Sequence, residues 1–116
     1  MTRTHVYEIL AADDWDAAKQ IGHPETKLDV GDGYVHLSTR AQVGETLALH
    51  YKHASGVRLL EYSLDDLEHS GGLKWEASRG GDLFPHLYGT LPLATALRVW
   101  VLDTNKDGIP ILPGDL

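Results

Sequence analysis

With 116 residues, 42% of them hydrophobic, the chain is long enough for one core and short for two, so residues 1–116 read as a single domain. Asp and Glu number 17 against 10 Lys and Arg, and a net charge of −7 leaves no basic surface dense enough for a nucleic-acid backbone. The absence of cysteine excludes disulfides, thiolate metal sites and a thiol nucleophile.

The opening MTRTHVYEIL has no basic segment leading into an apolar run, and nowhere do about 18 apolar residues follow one another, so a soluble, cytoplasmic protein with no membrane partner is expected. HVYEIL, His5 to Leu10, suits a first strand. DDWDAAKQIG reads as a short helix with Asp13 or Asp14 near its cap, Trp15, Ala18 and Ile21 inward, and Gly22 at its end. A loop, HPETKLDVGDG, leads to DGYVHLS, where the turn signal Asp32-Gly33 runs into a strand from Tyr34 to Ser38. Period two places Val35 and Leu37 on one face and Tyr34, His36 and Ser38 on the other. Thr39 and Gln42 make a capping-box pair at the start of the next helix, whose Val43, Leu47 and Tyr51 share a stripe.

Further on, VRLLEYSL reads as a strand, DDLEHSGG as a helical turn ending in glycine, and LKWEAS as a strand. FPHLYG is a short strand or ordered loop, because Pro85 removes a backbone donor. ALRVWVLD has the apolar density of a central strand, and KDGIPILPGDL reads as irregular closure. Two main helices among about six strands give an α+β domain with a mostly antiparallel sheet.

Seven histidines invite a metal reading, yet His50 and His53 lack a spaced third ligand, so a solvated helix end is favoured. DTNKDG has the first half of a calcium loop, Asp103, Asn105, Asp107 and Gly108, but Gly114 falls where the bidentate glutamate belongs, which favours a turn. Ser38 sits in H-L-S without the strained elbow of a serine hydrolase. What remains is a set: His36 and Ser38, Glu76 in LKWEAS, and His86 and Tyr88 in FPHLYG. Any one of them alone is explained by an internal hydrogen bond or an outward strand position. Together these types, on short apolar strands, line a small-molecule cleft.

DGYVHLS followed by TRAQV, then WE, then FPHLYG, resembles the bacterial domain-of-unknown-function 952 family over nearly the whole chain, HVYEIL and Trp15 included. That family is grouped by fold with the ADP-ribosyltransferases, which implies a split, mostly antiparallel sheet around an NAD cleft. The resemblance implies that His36 holds a ribose hydroxyl and Ser38 a nicotinamide amide, with His86 and Tyr88 orienting the ligand. It also implies a late glutamate that steadies an oxocarbenium-like ribose, for which Glu76 is the nominee. Leu37 departs from the glycine of some transferases, Tyr34 replaces the usual Phe, and Tyr51 and Tyr62 are the candidates for ring stacking. No cofactor is required by this reading, with NAD itself as substrate or ligand. Transfer or hydrolysis at the N-glycosidic bond, and a non-catalytic binding module on the same fold, are the two functions it leaves.

Overall fold

The computed structural model describes residues 4–116, and of Arg79 the backbone alone. Met1 to Arg3, the start of the segment inspected for a leader, lie outside the described residues. The elements are β1 (His5–Leu10), α1 (Ala12–Ile21), α2 (Lys27–Asp32), β2 (Val35–His36), α3 (Arg40–His50), β3 (Arg58–Ser63), α4 (Leu64–Ser70), β4 (Leu73–Ala77), β5 (Leu83–Leu87) and β6 (Arg98–Val101). The strands form two antiparallel three-stranded sheets, β1-β3-β6 and β2-β5-β4, so the class is α+β. No helix among the described residues is long and apolar enough to cross a membrane.

β1 is buried on both faces because it runs between two apolar clusters. Val6 and Leu10 join Val35, Leu37, Leu60, Tyr62 and Leu87 on one side. Tyr7 and Ile9 join Val43, Leu47, Leu59 and Leu102 on the other. α3 supplies Val43 and Leu47 as its stripe predicts, and Gln42 Oε1 accepts from the Thr39 N–H at 3.0 Å, the returning half of the capping box. Across the first sheet, Tyr7, Glu61 and Arg98 stand in one cross-strand row. Buried Glu61 accepts from the Tyr7 hydroxyl at 2.9 Å and from Arg98 at 2.9 and 3.0 Å, so its charge is fully matched.

The two sheets meet at one pair, Tyr7 with Ser38, which exchange both backbone bonds at 2.8 and 2.9 Å. Pro85 explains why β2 changes partner there. Leu37 N–H donates to the Pro85 carbonyl at 3.0 Å, and proline has no N–H to return, so the β2–β5 ladder stops and the chain crosses to β1.

Several expectations need correction. The stretch 23–33 contains α2, whose N-cap Thr26 accepts from the Asp29 N–H at 3.1 Å, a side-chain cap hidden by the surrounding Pro, Gly and acidic residues. The strand expected from Tyr34 to Ser38 is confined to Val35–His36, because the change of partner interrupts the ladder. The described residues thus hold four α-helices rather than two main ones. α1 is capped at Ala11, with Asp13 and Asp14 in its first turn, where they oppose the positive dipole end. Ile21 is exposed, since successive three-residue steps drift by about 60° and carry it off the Trp15–Ala18 line. β6 is an edge strand paired with β3 alone, with Val99 and Val101 exposed. Its β-branched residues fit the pleat whether or not they are buried.

Gly72, at φ +82°, ties β4 to β5 by accepting from the Tyr88 N–H at 2.7 Å, and a Cβ there would lie 2.5 Å from the Tyr88 carbonyl oxygen. Gly72→Ala is expected to cost about 1–3 kcal/mol in urea unfolding, whereas Gly31→Ala, with open space in α2, should be neutral or slightly stabilising.

Candidate functional site: a cleft where two sheets part

An antiparallel ladder that begins with Tyr7 and Ser38 would next bond Ile9 to His36, two residues on. Instead the strands diverge and side chains take over the released groups. Ile9 N–H donates to Glu8 Oε1 at 3.0 Å, the Ile9 carbonyl accepts from the Tyr51 hydroxyl at 3.3 Å, and His36 N–H donates to Asp29 Oδ1 at 3.2 Å. The opening is a cleft of about 690 Å³ lined by Glu8, Asp29, His36, Ser38, Tyr51 and His86, with Ile9, Leu37 and Phe84 as apolar lining.

His36 is clamped by α2. Its Nδ1 lies 2.6 Å from Asp29 Oδ1 and its Nε2 lies 2.9 Å from Asp32 Oδ2. Each ring nitrogen thus has a carboxyl oxygen within hydrogen-bond distance, an arrangement that favours the doubly protonated ring. Burial opposes that charge, but the hydrogen bonds and charges of Asp29 and then Asp32 outweigh it, and His36 titrates above its ordinary value.

A second cluster lies on the same sheet face. His86, 4% exposed, places Nδ1 2.9 Å from Glu76 Oε1, and the Tyr88 hydroxyl donates to that oxygen at 2.7 Å. Glu76 only accepts, so His86 Nδ1 donates to it. The Tyr34 ring stacks on His86 at 4.1 Å between centroids and stands 5.1 Å from Tyr88. The bonds from Tyr88 and then His86 hold Glu76 below its ordinary value, and the same bond pushes Tyr88 up to about 12.

Glu8 is the opposite case. Burial first, then the negative charges of Asp29 and Asp14, raise its carboxyl well above the usual range, against the Ile9 N–H bond. Glu8 Oε2 and Asp29 Oδ2 are buried and without a hydrogen-bond partner among the described residues.

A family model described as a protein of unknown function, DUF952, matches residues 9–99. The chain belongs to the DUF952 family. Its structure is similar to the crystal structure of protein CC0527 from Caulobacter crescentus, 42% identical over 97% of this chain and 96% of that one, with a TM-score of 0.87. The solution NMR structure of CC0527 is matched over the same shares at 41% identity and a TM-score of 0.82. No curated protein matches the sequence.

In this DUF952 chain, three of the five residues nominated from sequence, His36, Ser38 and His86, line the cleft. Glu76 and Tyr88 are bonded to each other, with Glu76 joined to the cleft through His86, and Tyr88 is 40% exposed. Of the stacking candidates, Tyr62 is a core residue whose hydroxyl reaches the Pro92 carbonyl, and Tyr51 caps Ile9 at the cleft; the ring that stacks is Tyr34. Among the described residues no group of three or more His, Asp or Glu is placed to hold a metal ion. DTNKDG is a turn closed by Asn105 Oδ1, which accepts from the N–H groups of Asp107 and Ile109. Glu8, Asp29 and Asp32 were missed. The one available signal was an acid at Glu8 inside the otherwise apolar strand HVYEIL.

Because folding raises the Glu8 pKa, the native state holds that proton more tightly than the unfolded chain does, and stability is lost as pH rises from 4.5 toward the native value. Glu8→Gln should therefore match the wild type near about pH 4 and exceed it by on the order of 1–3 kcal/mol near pH 8, read by chemical denaturation. His36 gives a later window. Its raised pKa contributes stability that is complete below the ordinary value of 6.5 and lost as pH rises through the folded value, so His36→Gln should flatten that upper limb.

Proposed function

We propose that the cleft binds a small ribose-bearing molecule of nucleotide type, with NAD as reference compound, on an ADP-ribosyltransferase-like split sheet, in a soluble cytoplasmic protein. The observation that carries this reading is the convergence of His36, Ser38 and His86 on the apolar cleft at the one junction of the two sheets. A volume near 690 Å³ suits a ligand of this size, and fixed polar groups beside Ile9, Leu28, Leu37 and Phe84 orient rather than merely trap it. Hydroxyl-rich ligands fit because the cleft offers hydrogen-bonding groups, among them Ser38, His86 and the carboxyl groups of Glu8 and Asp29.

Two features favour binding without turnover. Both nitrogens of His36 are already held by Asp29 and Asp32, and Glu76, the carboxylate nominated to steady a ribosyl cation, spends one oxygen on Tyr88 and His86. Glu76 in this reading is a positioning residue that fixes the His86 tautomer. N-glycosidic cleavage is the second reading, supported by an acidic lining that would stabilise positive charge on the sugar.

Thermal-shift titration with NAD, nicotinamide riboside and ribose should find a ligand that adds about 2.7 kcal/mol of stability at 100 times its Kd. His36→Ala, which releases Asp29 from its fixed place in the wall, is expected to weaken that ligand by about 1–2 kcal/mol, while Glu76→Gln stays within a few-fold. Chromatography of NAD after long incubation should recover it intact; consumption that falls by about 10² in Glu76→Gln would establish the catalytic reading instead. Absence of any shift with all three compounds removes the ribose-bearing ligand.

A further inference from the structure

At the split, each carboxylate that caps a strand N–H spends one oxygen and keeps another. Ile9 N–H takes Glu8 Oε1 and His36 N–H takes Asp29 Oδ1, leaving Glu8 Oε2 and Asp29 Oδ2 buried without a partner among the described residues. Both residues are more than nine-tenths buried, at 4% and 8% exposure, and both line the cleft. The capping geometry accounts for the first oxygen of each and gives no use for the second. Asp14 adds a third acid to the lining. Of the basic residues there, His36 is already committed to Asp29 and Asp32. A neutral hydroxyl would fill the missing hydrogen bonds but leave Glu8 held toward its neutral form by burial and by the charges of Asp29 and Asp14. A cationic donor relieves both deficits.

We propose that the cleft binds an organic cation, a primary ammonium or guanidinium group, whose N–H donors occupy Glu8 Oε2 and Asp29 Oδ2. This deepens the reading of the cleft as a ligand site and is independent of whether the ligand carries ribose. Binding is coupled to protons. Burial and the charges of Asp29 and Asp14 shift free Glu8 toward its protonated form, and a bound cation ionises it, so protons are released and affinity rises with pH. The groups that face Glu8 are Asp14 of α1, Asp29 of α2, Tyr51 after α3 and Tyr62 of β3, with Lys27, His36, His50 and His86 elsewhere on the cleft. His36 loses charge over the same rise in pH, which works in the same direction.

The test is calorimetric titration of the whole chain with 1,4-diaminobutane, against 1,4-butanediol as its neutral isostere, at about pH 6 and about pH 8 in buffers of different ionisation enthalpy. Expected are binding of the diamine and not the diol, proton release, and affinity at least about threefold tighter at the higher pH. Glu8→Gln should weaken the diamine by about tenfold or more with an unchanged circular dichroism spectrum. Should that variant fail to fold, Asp29→Asn and the wild-type pH series decide the matter. Equal binding of diamine and diol, no heat from the diamine up to about 10 mM, or diamine binding unchanged in the folded variants overturns the proposal. NAD titrated alongside separates the two readings. NAD bound without the diamine ends the cation site and keeps the ribose ligand, and the diamine bound without NAD does the reverse.

Discussion

A backbone N–H released from a ladder and buried must find an acceptor, and the architecture of this DUF952 chain turns on how that demand is met where its two sheets part. Among the described residues, the Tyr7–Ser38 pair is the backbone bridge that joins the sheets. One step further, Ile9 and His36 leave each other, and Glu8, Asp29 and Tyr51 supply the missing partners. The cleft is the space between strands that have traded main-chain partners for side chains. Without those three side chains, a split sheet would carry unsatisfied N–H and C=O groups, each costing about 1–3 kcal/mol.

The same demand explains α2. Its six residues deliver Asp29 to the His36 N–H and ring and Asp32 to the far ring nitrogen, so the helix and the strand are bound edge to edge by one imidazole. Glu61 shows what a buried acid looks like when its role is structural. Tyr7 and Arg98 match it on both oxygens, and its carboxyl is held below its ordinary value by the Arg98 hydrogen bonds, with burial opposing. Glu8, equally buried, has one backbone donor and a raised value. The two acids, both in strands of the first sheet, thus differ in how far their oxygens are matched.

Much of this was legible before any coordinates. The strands from HVYEIL, VRLLEYSL and LKWEAS fell where the apolar pattern and turn residues placed them, FPHLYG took the strand form of its two readings, and the capping box announced α3. His36, Ser38 and His86 could be nominated because polar groups on apolar strands are conspicuous. α2 was not legible, since its signal is a single Thr26 side chain within a proline- and glycine-bearing stretch. Nor was the role of Glu8, because periodicity along one strand says nothing about where a neighbouring strand departs. Pro85 was read as a weakness in its own strand, whereas its effect falls on β2.

Strand order carries a kinetic meaning. β4 and β5 are consecutive and pair as a hairpin, while β1 must wait for β3, with Tyr7 and Glu61 54 residues apart, and β3 for β6 across 37 more. Closing such intervals costs loop entropy before any contact rewards it, so the second sheet has a local nucleus that the first sheet lacks. During synthesis, β1 can pair once β3 has been made, whereas β6 joins β3 only near the end of the chain. Until β3 arrives Glu8 is a solvated acid, and it takes on its buried character as the segments carrying Asp14, Asp29, Tyr51 and Tyr62 close around it.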